Sequence, residues 1–217
     1  MEVKVTKKFA SLATVYCGML LISNILANKL IIIGDLVQPC AIIMFPLVYI
    51  ISDTLTEIYG IKLSKIAITT NTLMNLFMSA ILILAVKLPS PPFADATAFN
   101  SVLGSTPRVV FASLISYYCG DLVNSYSLSF FKAKLKAPFF NTFLFRSICS
   151  SILGQIFDTA GFITIAFYGT VPNDVLIQMI ALQYSIKIGY QIIAHPITHN
   201  IVKWYKKADG IDVVDKW

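Results

Sequence analysis

Six ionisable residues lie inside otherwise apolar stretches of this chain: Asp53, Glu57, Asp121, Arg146, Asp158 and Lys187. Buried charge in such stretches either ties helices together or presents fixed charge and hydrogen bonds to a polar solute. Asp53 and Glu57 are four residues apart, so a helix carries both carboxylates on one face. Arg146 enters its own stretch from the same end and is their natural partner. Asp121, Asp158 and Lys187 each fall near the middle of a stretch, which puts all three at one depth. Uncharged polar residues follow the same spacing: Asn71 and Asn75, Gln183, Lys187 and Gln191 with Tyr184 and Tyr190 beside them, and Asn24 and Asn28. Taken singly, asparagines and serines read as interhelical glue, at roughly 0.6 kcal/mol each. Asp53, Glu57, Asp158, Arg146 and Lys187 together, five charges in so small a bundle, read instead as a polar cavity.

The elements that position these residues follow from composition. The chain has 217 residues, 57% hydrophobic and 13% charged, with a mean hydropathy of +0.75. Soluble domains carry roughly a quarter charged residues, so an ordinary water-soluble enzyme is excluded. At about 20 residues per membrane span, the length accommodates six spans in one domain, 1–217. They are read at about 9–28, 39–59, 63–86, 109–131, 142–168 and 175–204, an all-α polytopic fold. The first is read as a retained span, since no small-residue cleavage site follows it. Residues 87–107, rich in proline, are read as a loop. Lys4, Lys7, Lys8, Lys62, Lys65, Lys132, Lys134, Lys136, Lys203, Lys206, Lys207 and Lys216 fall on one side; Lys29, Lys87 and Arg108 fall on the other. Positive charge stays cytoplasmic, so both termini are expected there, and an even span count requires the same. The net charge of +6 therefore encodes topology and does not indicate nucleic acid.

Other chemistry is poorly supported. His195 and His199 are four apart, but the segment HPITH lacks the glutamate of a metalloprotease helix, and Pro196 is expected to kink it. No phosphate loop and no nucleophile elbow occur. The four cysteines sit in apolar stretches without paired spacing and read as buried apolar thiols. No cofactor or metal is expected. Small residues at Ala10, Thr14 and Gly18 form a ridge that suits helix packing. The pairs ISDT at 51–54 and IFDT at 156–159 lie three spans apart, the separation of an inverted repeat.

Several motifs carry a family resemblance. FPLVYIISDTLTEIYG at 45–60, SNILANKL at 23–30, Arg146 with GQIFDTAGFITIAFYG at 154–169, YSIKIGYQIIAHPIT at 184–198 and the tail KKADGIDVVD at 206–215 resemble the queuosine precursor transporter family of vitamin uptake transporters. Ala208 stands where that family often has an acidic residue. The resemblance implies a multi-pass protein of the bacterial inner membrane that imports 7-deazaguanine bases, the cyano or aminomethyl precursors of queuosine or queuine itself, for tRNA modification. A guanine-like ring presents adjacent N–H donors, which Asp53 or Glu57 would accept in bidentate fashion. Its carbonyl needs a donor from Arg146, Lys187, Gln155, Asn71 or Asn75. Its faces need walls, for which Phe45, Tyr49, Phe157, Phe162 and Tyr184 are near in sequence, and a second carboxylate would welcome an aminomethyl cation, with Asp158 also among the expected substrate-binding residues. The expected partners are the nucleobase and the bilayer, with a homo-oligomer or an energising partner left open. Two other readings stand beside the carrier: a substrate-capture subunit of an energy-coupling transporter, and an intramembrane enzyme holding a metal on Asp53 and Glu57.

Overall fold

The computed structural model describes residues 5–26, 29–33, 36–91, 96–104, 107–135, 142–170 and 172–217. The elements are α1 (Lys7–Leu26), β1 (Leu30–Ile33), β2 (Leu36–Pro39), a 3-10 turn (Cys40–Ile43), α2 (Phe45–Lys87), α3 (Thr97–Leu103), α4 (Pro107–Lys134), α5 (Phe143–Phe167) and α6 (Asn173–Asp209). Lys4, Asn28 and Lys136, which enter the topology and first-span readings, lie outside the described residues. The protein is helical, and among its described helices α1, α2 and α5 are long and apolar enough to cross a membrane.

The second and third expected spans form a single element broken at one residue. Gly60 has φ 78° and ψ 171°, a conformation strained for any residue with a Cβ. Eight residues of straight helix would separate Thr56 from Ser64 by about 12 Å, yet their hydroxyls meet at 2.6 Å. The chain therefore folds back at Gly60. The two halves differ in burial. Every residue from Val48 to Gly60 is buried, so this half is enclosed on all sides. Beyond the break only Ser64, Ala67, Ile68, Asn71 and Asn75 are buried, a stripe of helical period that leaves the opposite face outward.

Two other expectations, the start of the second span and the burial of the cysteines, are corrected. The second span does not begin as helix: Pro39 ends a two-stranded antiparallel hairpin, in which Leu30 pairs with Pro39 and Ile33 with Leu36, and the 3-10 turn follows. Three consecutive isoleucines at 31–33 favour extended backbone. The loop at 87–107 contains the short helix α3, none of whose residues is buried. The cysteines are free but not fully buried, with Cys119 exposed and the other three half-buried. In addition, α6 is one helix through Pro196.

Glycines set the closest helix crossing. A Cβ on Gly120 of α4 would lie 2.6 Å from the Asp158 Cβ, and one on Gly154 of α5 would lie 2.6 Å from both the Gly120 carbonyl and the Asn124 Cβ. Backbones approach closely only where such side chains are missing, the usual device of helix packing in lipid. Gly154→Ala is therefore expected to cost about 1–3 kcal/mol, as overpacking does. Thermal unfolding of the purified variant measures this, and an unchanged midpoint would show that the crossing has slack.

Candidate functional site

The enclosed half of α2 carries Tyr49, Ser52, Asp53, Thr56 and Glu57, and the surrounding helices supply partners in stacked layers. Glu57 lies nearest the break at Gly60. Its Oε1 accepts from Arg146 Nη2 of α5 and Lys206 Nζ of α6, both at 2.7 Å. Lys132 of α4 stands 3.7 Å away and donates to the Glu57 main-chain carbonyl. The second oxygen, Oε2, is buried and has no hydrogen-bond partner among the described residues.

One turn further in, Asp53 is held differently. Asn124 Nδ2 donates to Oδ1 at 2.6 Å, while Ser147 Oγ and Gln191 Nε2 donate to Oδ2 at 2.5 and 2.9 Å. All three donors are neutral, and Asp53 is fully buried. Beyond it, Lys187 Nζ of α6 pairs with Asp158 Oδ2 of α5 at 2.7 Å, and the Tyr49 hydroxyl donates to the same oxygen at 2.9 Å. The Lys187 ammonium also sits 5.1 Å from the centre of the Phe45 ring.

The expected site residues are thus partly assembled. Asp53, Glu57, Arg146, Asp158, Lys187 and Tyr49 share one interior column. Gln155 of α5 is also buried, and its Oε1 has no hydrogen-bond partner among the described residues. Asn71 and Asn75 stand apart, on the second half of α2, where Asn24 of α1 donates to Asn75. Tyr184 lies at the periphery, donating to the Ile152 carbonyl at 3.2 Å. Phe157 is more than half exposed and faces away from the column. Arg146 pairs with Glu57 and not with Asp53. Sequence reasoning missed Asn124 and Ser147. The only signal for them was spacing, since Asn124 follows Asp121 by three residues and Ser147 adjoins Arg146.

The C-terminal tail closes the end at which Gly60 turns. α6 stops at Gly210, left-handed with φ 64°, whose N–H caps the Lys206 carbonyl. The Val213 N–H then donates to the Ile58 carbonyl, and Asp215 accepts from the Ile61 N–H, both at 2.9 Å. These are backbone groups left over by the broken helix, which in lipid must find partners. Asp212 accepts from Lys132 at 2.5 Å and Lys206 at 3.0 Å, the same cations that face Glu57. Burial alone would raise the Asp212 carboxyl, but these two lysines outweigh it and hold it below its ordinary value. A carboxyl depressed in the folded state stabilises above its free value and loses that contribution as pH falls through the bound value. The tail is therefore expected to stay docked at neutral pH and to release only below the free aspartate value of about 3.9. Trp217, which packs on Tyr126 and Phe130, reports this by fluorescence once the other tryptophan is removed as Trp204→Phe. A transition between neutral pH and 5 would assign the docking to another group.

Comparison with known proteins joins this geometry to a family. A family described as "Putative vitamin uptake transporter" matches residues 39–201, well over half of the chain. The chain belongs to that family. It is also similar to a Bacillus subtilis (strain 168) protein named "Probable queuosine precursor transporter", 24% identical over 181 residues that cover 82% of this chain and 77% of that one. No solved structure matches. Membership makes this a multi-pass membrane transporter of a small molecule, and not an enzyme. The family match contains Asp53, Glu57, Asp121, Arg146, Asp158 and Lys187, and it leaves out all of α1, the end of α6 with Lys206, and the docked tail.

Proposed function

We propose that this transporter imports queuosine precursors, the 7-deazaguanine bases, across the bacterial inner membrane for tRNA modification. The similarity to the Bacillus relative over most of both chains supports this substrate class. The observation that carries the recognition reading is the pair of amides on Asp53. Asn124 places an N–H on one carboxylate oxygen and Gln191 places an N–H on the other, which is the pattern a guanine-like edge presents. Neutral donors exchange readily for ring donors, whereas Glu57 has one oxygen committed to two cations and retains only Oε2 for a ligand. Asp53 is accordingly the bidentate acceptor. The displaced amides and Arg146 serve the ring's own acceptors, while Asp158, Lys187 and Tyr49 bound the site on the far side. Gln155 Oε1 remains as an unfilled acceptor for a further substrate N–H.

The whole chain acts as one six-span unit, counting α1, each half of α2, α4, α5 and α6. Both termini belong at the cytoplasmic face. Supporting this, Thr6, Lys8 and Tyr59 all contact Asp209, so the N-terminus, the Gly60 turn and the end of α6 share one end of the bundle. That end collects Lys8, Lys132 and Lys206, as the inside does.

The test compares queuosine in tRNA from cells that cannot make the precursors, with and without this gene, fed each base in turn. Gene-dependent queuosine is expected from at least one base, with poor competition by analogues lacking the exocyclic amine. Equal queuosine with and without the gene, for every base, would sink the substrate assignment.

A further inference from the structure

Asp121 is used by neither the recognition column nor the tail. It is fully buried, midway along α4. Ser52 of α2 donates to its Oδ1 at 2.6 Å, and Tyr117 of α4 donates to its Oδ2 at 3.0 Å. Tyr16 of α1 also donates to Oδ2, and the Tyr16 and Tyr117 hydroxyls meet each other. No described cation lies within salt-bridge distance. Glu57 and Asp158 have such partners, so Asp121 is a membrane-interior carboxylate whose charge is answered by hydroxyls alone.

We propose that Asp121 is the proton-binding site that couples this transporter to a proton gradient, an inference that rests on the carrier reading above. The chemistry of the donors distinguishes Asp121 from Asp53. Two of the three donors on Asp53 are amide N–H groups, which only donate, and one sits on each oxygen, so a proton on either oxygen would face an amide donor, with Ser147 as its one hydroxyl neighbour. A hydroxyl both donates and accepts. When Asp121 gains a proton from external water, the new O–H bond can point at a hydroxyl oxygen, and the Tyr16–Tyr117 contact lets the remaining hydrogens redistribute without moving heavy atoms. Release to cytoplasmic water breaks that O–H bond and restores the carboxylate.

Protonation also has a mechanical consequence. Hydrogen bonds to a carboxylate are about twice as strong as neutral ones, and two of the three here, from Tyr16 and Ser52, tie α1 and α2 to α4. Neutralising Asp121 loosens that junction. The groups facing it are Tyr16 on α1, Tyr49, Ser52 and Asp53 on α2, Tyr117 on α4 and Asp158 on α5, with Lys187 of α6 reached through Asp158. Gly120 lets the α4 backbone beside Asp121 press against Asp158, so the proton site and the charge pair sense one another.

The test has a substrate-free arm and a transport arm. Purified protein in lipid nanodiscs is titrated without substrate while the infrared carbonyl band of protonated carboxylic acid is followed. Asp121→Asn should remove one titrating component. In proteoliposomes supplied with a deazaguanine precursor, wild type should accumulate it in response to an inward proton gradient. Asp121→Asn should lose that accumulation yet retain exchange of labelled for unlabelled substrate, which needs no net proton movement. If Asp121→Asn does not fold, Tyr16→Phe decides. Removing a donor from the charged form raises its proton affinity, so the titration midpoint should shift to higher pH. An unchanged midpoint, an infrared band indifferent to Asp121→Asn, undiminished gradient-driven accumulation by Asp121→Asn, or wild-type accumulation driven by sodium and not by protons would each overturn the proposal. A titrating Asp121 in protein that moves no deazaguanine would uphold the proton site and defeat the substrate reading instead.

Discussion

Lys187→Met alone is expected to yield less folded protein than Lys187→Met combined with Asp158→Asn. The two side chains pair at 2.7 Å and are almost wholly buried. Removing one partner strands the other charge in a low-dielectric interior, at a cost of about 3–5 kcal/mol, whereas removing both is often close to neutral. Asp158→Asn alone is cushioned, because Tyr49 and Lys187 share one Asp158 oxygen and an amide oxygen there can still accept from both, but the Lys187 charge is left without a counter-charge. The expected order of stability is therefore wild type, the double variant, and then the singles. The yield of monodisperse protein and its thermal midpoint measure this order. A double variant no better than the worse single would mean that the pair contributes nothing as a pair. Folded double-variant protein also separates stability from transport, since it tests whether the charges themselves are needed to move substrate.

Asp53→Asn is expected to weaken binding of the favoured precursor by at least about 100-fold, close to 3 kcal/mol at 1.4 kcal/mol per tenfold, while leaving the protein monodisperse. An asparagine offers one acceptor and one donor where the ring presents two donors, so one contact becomes donor against donor. A site built to bond a polar group loses heavily when that match fails, because both sides are left unpaired. Folding should suffer less, since Ser147 or Gln191 can still donate to the amide oxygen. Glu57→Gln makes the contrast. It weakens the contacts with Arg146, Lys206 and Lys132, of which the two lysines also hold the docked tail, and it should lower the quantity of folded protein more than the affinity of what folds. Binding to purified Asp53→Asn and Glu57→Gln protein distinguishes the two roles. Normal affinity in monodisperse Asp53→Asn would remove Asp53 from recognition.

The sequence by itself determined the class of protein and the depth of its charges. Apolar content excludes a soluble enzyme, and 1.5 Å of rise per residue placed Asp158 level with Lys187 and Arg146 near Glu57. Both pairs are present in the structure. Tertiary structure alone decided which way each side chain faces around its helix. Asp121 is near enough to Asp158 for the two charges to interact, but its hydrogen bonds go to Tyr16, Ser52 and Tyr117 while Lys187 pairs with Asp158, so depth predicted a grouping whose partners only azimuth decides. Asn71, Asn75 and Tyr184 have helical spacing as good as that of the column residues, yet they face α1 or the periphery. The docking of residues 210–217 was equally illegible, because it depends on backbone groups that only the break at Gly60 sets free. Depth along a helix follows from counting residues, whereas the direction a residue faces depends on which neighbours pack against that helix. In lipid, close glycine crossings such as Gly120 against Gly154 choose those neighbours, because an apolar face gains little by turning inward.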